Sequence, residues 1–414
     1  MGLSVFDKII TFFFGLMIFF LPISKAVIEF SAVVCIITWF LKQVFIFTSG
    51  RKAIPLKSAA NMLFGDFSLG GALTLFFLAN ILAVVFSSNM KLSVNALIFK
   101  LSEYILIFII AKDSIRSKSQ CKFIIYAFLS SLFFISLDGF FQAIFKYDLF
   151  RHRKLFQGRV TASFINPNDL GSYLITAIPL ALSLAFSGLG KKIKTALAVL
   201  AISAVSILMF TLSKGAWLAF LLALLFWGRF SRKRYLLYVL AGILAIGFAL
   251  PVFFKFSSFD LIKRMMLFSN DVGAMDRKFL WQAAIRMFID KPAFGVGLGT
   301  FMENYPKFWL RPTTEIAYTH NCYLQTLAET GIFGLLTFLL FLYIWLKNTL
   351  QILAKPEKSF FYFSLLGLTV GLIAYLLNSF VDTNFYSLPI AVLFWFILGL
   401  QQAVSRIIKD EEKV

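Results

Sequence analysis

The sequence predicts an all-α, polytopic membrane protein with about twelve transmembrane helices, and three observations carry that prediction. Hydrophobic residues make up 60% of the 414 positions and charged residues only 14%, against roughly 45–50% and about 25% in soluble domains. The apolar residues fall in runs of roughly 20, the length a helix needs to cross the hydrocarbon core. Backbone polar groups in that core must bond within their own segment, which selects helices. Lys and Arg, finally, collect on alternate connections, as cytoplasmic loops do. The net charge of +20 is explained by that bias, so nucleic acid is not an expected partner; membrane lipids are.

The runs lie near 8–22, 27–47, 69–86, 94–111, 122–146, 169–187, 193–211, 214–230, 235–254, 330–347, 359–380 and 384–405. Lys8 precedes the first, and no small-x-small cleavage site follows Leu21, so it reads as an uncleaved span. With the N-terminus inside, the inner connections hold the patches Lys42/Arg51/Lys52/Lys57, Lys112/Arg116/Lys118/Lys122, Lys191/Lys192/Lys194 and Arg229/Arg232/Lys233/Arg234. They also hold Lys347/Lys355/Lys358 and Arg406/Lys409/Lys413, which puts both termini in the cytoplasm. Three parts result: nine spans in 1–254, a large outer loop with short helices in 255–329, and three spans with a cytoplasmic tail in 330–414.

Two outer segments are basic against the sorting rule. Long loops translocate regardless of charge, which accounts for 255–329. The shorter 147–168, with Arg151, Arg153, Lys154 and Arg159, is either tolerated or an anion-binding cluster. Cys35, Cys121 and Cys322 are too scattered for a disulfide framework. His152 and His320, the only histidines, lie in no HxxxH or HExxH pattern, so no metal site is expected.

Four stretches can carry chemistry. In GRVTASFINPNDLGSYL (158–174), Asn166-Pro167-Asn168-Asp169 reads as a helix start. With Arg159 just before it, the free amides of that terminus make a phosphate cradle the alternative to a plain cap. In TLSKGAWLAF (211–220), Lys214 is either a snorkelling lysine at a turn or a cation at the outer interface. In MDRKFLWQAAIRMFIDKPAFGVGLGTF (275–301), the spacing predicts a helix over 276–291 with Trp281, Ala284, Ile285 and Phe288 on one face. Arg277 shares that stripe and needs a partner or ligand there, whereas Arg286 lies away from it. Gly295, Gly297 and Gly299 follow no strand and precede no GK[ST], so they mark a tight turn and not a nucleotide loop. In YTHNCYLQTLAETGIFG (318–334), Thr319-His320-Asn321 caps a helical run from Tyr323 to about Lys347. A neutral imidazole there suits a general base, the alternative being a hydrogen-bonded cap.

In this order the motifs FINPNDLGSYL, TLSKGAWLAF, DRKFLWQAA…KPAFGVGLGTF and HNCYLQTLAETGIFG resemble the O-antigen ligase/polymerase family, over about residues 150–345. The resemblance implies a glycosyltransferase of the bacterial inner membrane with its active site facing the periplasm and a large periplasmic loop between helices 9 and 10. The donor would be a glycan on undecaprenyl diphosphate and the acceptor a lipid A–core sugar. The transfer would be inverting and metal-independent, with no cofactor. His320 would be the general base and Arg277 would stabilise the diphosphate, with Arg159, Lys214, Asn166, Asn168, Asn321 and Trp281 at the substrate. One departure is Ser213-Lys214-Gly215 where many members have Ser-Arg-Gly: lysine keeps the charge but not the bidentate fork. A polysaccharide polymerase or O-oligosaccharyltransferase of the same superfamily is the alternative. A lipid-linked sugar transporter, using Lys100, Glu103 and Asp138, is the reading from another class.

Overall fold

The computed structural model describes residues 2–49, 68–231, 238–240, 242–243, 272–309, 318–356 and 359–412. In chain order its helices are α1 (Gly2–Phe20), α2 (Lys25–Thr48), α3 (Leu69–Val85), α4 (Met90–Ser114), α5 (Lys118–Phe145), α6 (Pro167–Ala185) and α7 (Lys191–Phe210). There follow α8 (Lys214–Phe230), α9 (Val272–Asp290), α10 (Phe301–Phe308), α11 (Cys322–Leu353), α12 (Phe360–Asn378) and α13 (Leu388–Glu411). Seven of them, α2, α4, α5, α7, α11, α12 and α13, are long and apolar enough to cross a membrane. The chain is thus an all-α polytopic membrane protein, and no β-strand occurs among the described residues. Helices α1, α3, α6 and α8 coincide with further expected spans. The expected span 235–254 lies almost wholly outside the described residues, as do 255–271 and 310–317 of the expected outer loop.

Helices α12 and α13 form the centre, with most of their residues enclosed by protein. Small residues let backbones meet there, as is common where helices pack in lipid. A Cβ on Gly371 would fall 2.1 Å from the Thr176 carbonyl oxygen, so α6 and α12 touch through their main chains.

The connections gather at two opposite ends. One end is an ion-pair network: Lys42, only 2% exposed, lies 2.8 Å from Asp7 and 3.0 Å from Asp113. Lys118–Glu411 and Lys355–Glu412 pairs continue it. The other end collects the turns at 21–24, 86–89, 146–166, 211–213, 292–300, 318–321 and 379–387. All four motif stretches lie at this second end.

The glycine turn is wedged there. Gly295, Gly297 and Gly299 have φ of 70°, 119° and 73°, a region other residues avoid. Val296 and Gly297 donate to the Ala328 and Glu329 carbonyls at 2.9 and 3.0 Å, while Ser88 N–H and Ser93 Oγ donate to Val296 and Leu298 carbonyls from the other side. A Cβ on Gly297 would lie 1.9 Å from Ser87 Oγ. Gly297→Ala is therefore expected to destabilise the protein by about 1–3 kcal/mol through overpacking, read as a lower thermal midpoint in detergent.

Helix α11 differs from the single run expected from Tyr323. Gly331 has φ 64° and ψ −167°, so two helical segments meet at a break. The cause is the returning chain: a Cβ at 331 would sit 2.3 Å from the Ala293 carbonyl oxygen. The amide of Ile332 donates to Pro292 instead, at 2.9 Å.

Candidate active site

His320 sits immediately before α11 with φ 50°, an uncommon conformation for a side-chain-bearing residue. Asn321 caps the helix, its Oδ1 accepting from the Tyr323 and Leu324 amides at 3.0 Å each. Cys322 then ties the segment to the α12–α13 connection: its amide donates to Ser379 at 2.8 Å and its Sγ to the Asp382 carbonyl at 3.2 Å. The result brings Asp382 Oδ1 to 3.7 Å from His320 Nδ1. That separation is longer than a hydrogen bond, and Nδ1 has no other partner among the described residues. The side chain of His320 is 33% exposed and that of Asp382 11%. A buried carboxylate thus faces one ring nitrogen, leaving Nε2 for chemistry.

Asp382 escaped the sequence reading. Its signal was the polar string Asn378–Asn384 between two long apolar runs, which resembles an ordinary turn. The same connection binds Asp169, whose Oδ2 accepts from Ser387 at 2.9 Å, and Ser172, which donates to Asn384 at 2.8 Å.

Helix α9 docks beside the histidine. Trp281 Nε1 donates to the Thr319 carbonyl at 2.8 Å. The buried stripe is Leu280, Ala283, Ala284 and Met287, packed with Val296, Phe301 and Tyr305. This corrects the expected face: Ile285 is 44% exposed, because the helix rolls by one position to press on the glycine turn and α11. Arg277, one turn before Trp281, is half-buried and has no ion-pair or hydrogen-bond partner among the described residues. Arg286 is exposed.

Arg159 lies between the starts of α6 and α8. Its Nε donates to the Thr211 carbonyl at 2.7 Å and one terminal nitrogen to Asn168 Oδ1 at 2.8 Å. Asn166 caps α6, its Oδ1 accepting from the Asp169 amide at 2.8 Å. Two guanidinium nitrogens of Arg159 and the carboxamide oxygens of Asn166, Asn168 and Asn321 are thus engaged within the protein. Next to Lys214, a Cβ on Gly215 would fall 2.5 Å from Val381. Lys214 and His320 therefore flank the same short connection that carries Asp382.

Glu329 holds the roof. Fully buried, it accepts from the amides of Gly299 (2.9 Å) and Phe301 (3.2 Å), from Gln325 Nε2 (2.8 Å) and from Tyr386 OH (2.9 Å). Gln325 in turn accepts from the Thr319 amide at 3.0 Å. The Tyr318 and Tyr386 rings lie with centroids 4.7 Å apart. Burial, and then the Glu329 charge, push both phenols above their ordinary range, so they stay protonated donors. Of the groups a transporter would need, Asp138 is fully buried and anchors the 147–166 loop through the Leu149 amide (2.7 Å) and Ser163 Oγ (2.6 Å).

Arranged this way, the end of the bundle offers an imidazole with a carboxylate behind it and cations on neighbouring segments, a set suited to deprotonating a hydroxyl beside a polyanion. A Rickettsia conorii protein provisionally named a polysaccharide ligase is 26% identical over 174 residues, which is 35% of this chain and 42% of that protein. The matched region thus spans less than half the length of that relative. Residues 196–339, which hold Lys214, Arg277, Trp281, His320 and Asn321, match the O-Antigen ligase family model. Over those residues the chain is similar to the O-antigen ligase family, as the ordered motifs indicated.

Proposed function

We propose that this chain transfers a glycan from undecaprenyl diphosphate to a sugar hydroxyl of lipid A–core, at the periplasmic face of the bacterial inner membrane. The observation that carries the reading is the His320–Asp382 approach of 3.7 Å, with α9, which carries Arg277, docked on the same segment through the Trp281–Thr319 bond. The acceptor oxygen attacks the anomeric carbon as His320 Nε2 takes its proton. The bond from that carbon to the diphosphate oxygen breaks, and undecaprenyl diphosphate leaves with the electron pair. Attack from the opposite face inverts the anomeric centre. Asp382 orients the ring and pairs with the imidazolium once formed, so the 3.7 Å gap closes in the reacting complex. Arg277 stabilises charge growing on the diphosphate. Arg159 and Lys214 add field, Lys214 as a point charge without the bidentate fork of a guanidinium.

The basic residues of the opposite end, among them Lys42, Arg116 and Lys118, support a cytoplasmic assignment for that end and a periplasmic one for the site. A polymerase or an O-oligosaccharyltransferase shares the donor chemistry and differs in acceptor. Membranes containing the chain, supplied with lipid-linked glycan, should yield glycan on lipid A–core. Longer chains on undecaprenyl diphosphate would instead make it a polymerase, and product on neither acceptor would end both readings. Within the assay, Arg277→Ala is expected to lower kcat/KM by roughly 10²-fold, as loss of one oxyanion donor does. Arg286→Ala, on the exposed face, should change it little. Equal losses would show a loop that merely attracts anions.

A further inference from the structure

Below the glycine turn lies a cavity of about 110 Å³, walled by Phe76, Phe338, Phe385 and Trp395 and roofed by Leu298 and Gly299. Among the described residues one cation lines it, Lys100. Lys100 sits in a π-helical turn, Leu97–Leu101, inside α4; such widened turns are frequent at functional positions. Its neighbours Ile98 and Phe99 are 51% and 70% exposed, an apolar surface of the kind that faces lipid. A lysine in a span is costly unless it reaches water or a partner. Lys100 has no ion pair or hydrogen bond among the described residues, and Glu103 on the next turn does not pair with it. The carboxyl in the cavity wall, Glu329, is already saturated by four donors. Tyr318, two residues before His320, lines the same space, so the cavity adjoins the catalytic segment through the backbone.

We infer that this cavity seats the prenyl-phosphate end of the donor, its aromatic wall taking the isoprene units nearest the diphosphate and Lys100 pairing with a phosphate oxygen at its lipid-side mouth. The inference rests on the donor class proposed above. It assigns recognition of the carrier lipid to α4, apart from the cations on the 147–168, 211–214 and α9 segments.

The test uses the full chain in detergent and geranylgeranyl diphosphate as probe, by titration calorimetry. Lys100→Gln should weaken binding by about 10-fold, Lys100→Arg should restore most of it, and Lys91→Gln, on the exposed start of α4, should leave it unchanged. Binding of geranylgeraniol should be indifferent to Lys100→Gln. In transfer assays Lys100→Gln should raise the KM for donor while kcat stays near that of the unaltered chain. Undiminished binding by a folded Lys100→Gln overturns the inference, as does inorganic diphosphate binding as tightly as the prenyl compound. His320→Ala separates the two readings: it should bind the probe normally and fail to transfer. If it transfers glycan, the catalytic proposal falls while the binding result stands.

Discussion

His320→Ala should reduce glycan transfer by roughly 10²–10⁴-fold, the usual cost of removing a general base, while leaving the protein folded. The side chain is one-third exposed and makes no hydrogen bond at Nδ1 to any described residue. Its removal therefore leaves no buried donor or acceptor unsatisfied inside the fold. The loss should appear in kcat, because the imidazole acts on the acceptor proton in the transition state and contributes little to donor affinity. Asp382→Asn should fall between His320→Ala and the unaltered enzyme. An amide can still face the ring, but it cannot neutralise the imidazolium. A thermal melt of each purified variant, alongside single-turnover transfer, checks both expectations. If His320→Ala melts normally and transfers at the unaltered rate, the proton must go elsewhere and the proposed chemistry is wrong.

The spans were legible because crossing a bilayer fixes length and polarity, and both are written in the sequence. Residues 214–230 coincide with α8, and the expected 122–146 differs from α5 by one residue at its end and four at its start, where Ser117 and Gln120 form a capping box. Facing was not legible. Helix α2 exposes Phe30, Phe40 and Phe47 while α13 is enclosed on nearly every side, yet both are continuous apolar runs. Lipid and protein interior are equally apolar, so hydropathy tells a helix's depth but not its neighbours. The same limit hid the convergence of the site. Lys214 and His320 were legible as rare polar residues at span ends. That the 378–382 connection would join them depended on close packing at Gly215 and on the Cys322–Ser379 bond. The break at Gly331 was invisible for a related reason: glycine is tolerated in membrane helices, and only the passage of residues 292–294 makes it obligatory.

Glu329→Gln should be the most destabilising conservative change at this end of the molecule. Each carboxyl oxygen accepts two donors, Gly299 N and Tyr386 OH on Oε2, Phe301 N and Gln325 Nε2 on Oε1. A carboxamide offers one oxygen and turns an NH₂ toward the other two donors. At least two buried donors then lose their acceptor, at roughly 1–3 kcal/mol each, or about 2–6 kcal/mol together, against a total of roughly 5–15 kcal/mol for a domain of ordinary stability. The damage would travel a short, specified route. Gln325 binds both Glu329 and the Thr319 amide, and Thr319 precedes His320 while its carbonyl receives the Trp281 indole. Loosening Glu329 frees the glycine turn, α9 and the histidine segment at once. Glu329→Gln should therefore lower the melting temperature and expose 292–300 to protease, with transfer falling in proportion to the folded fraction. His320→Ala should show the opposite pattern, stable and inactive. A Glu329→Gln protein with an unshifted melt and no transfer would instead make Glu329 a group that touches substrate, and would require the cavity it borders to be reassigned as the reaction centre.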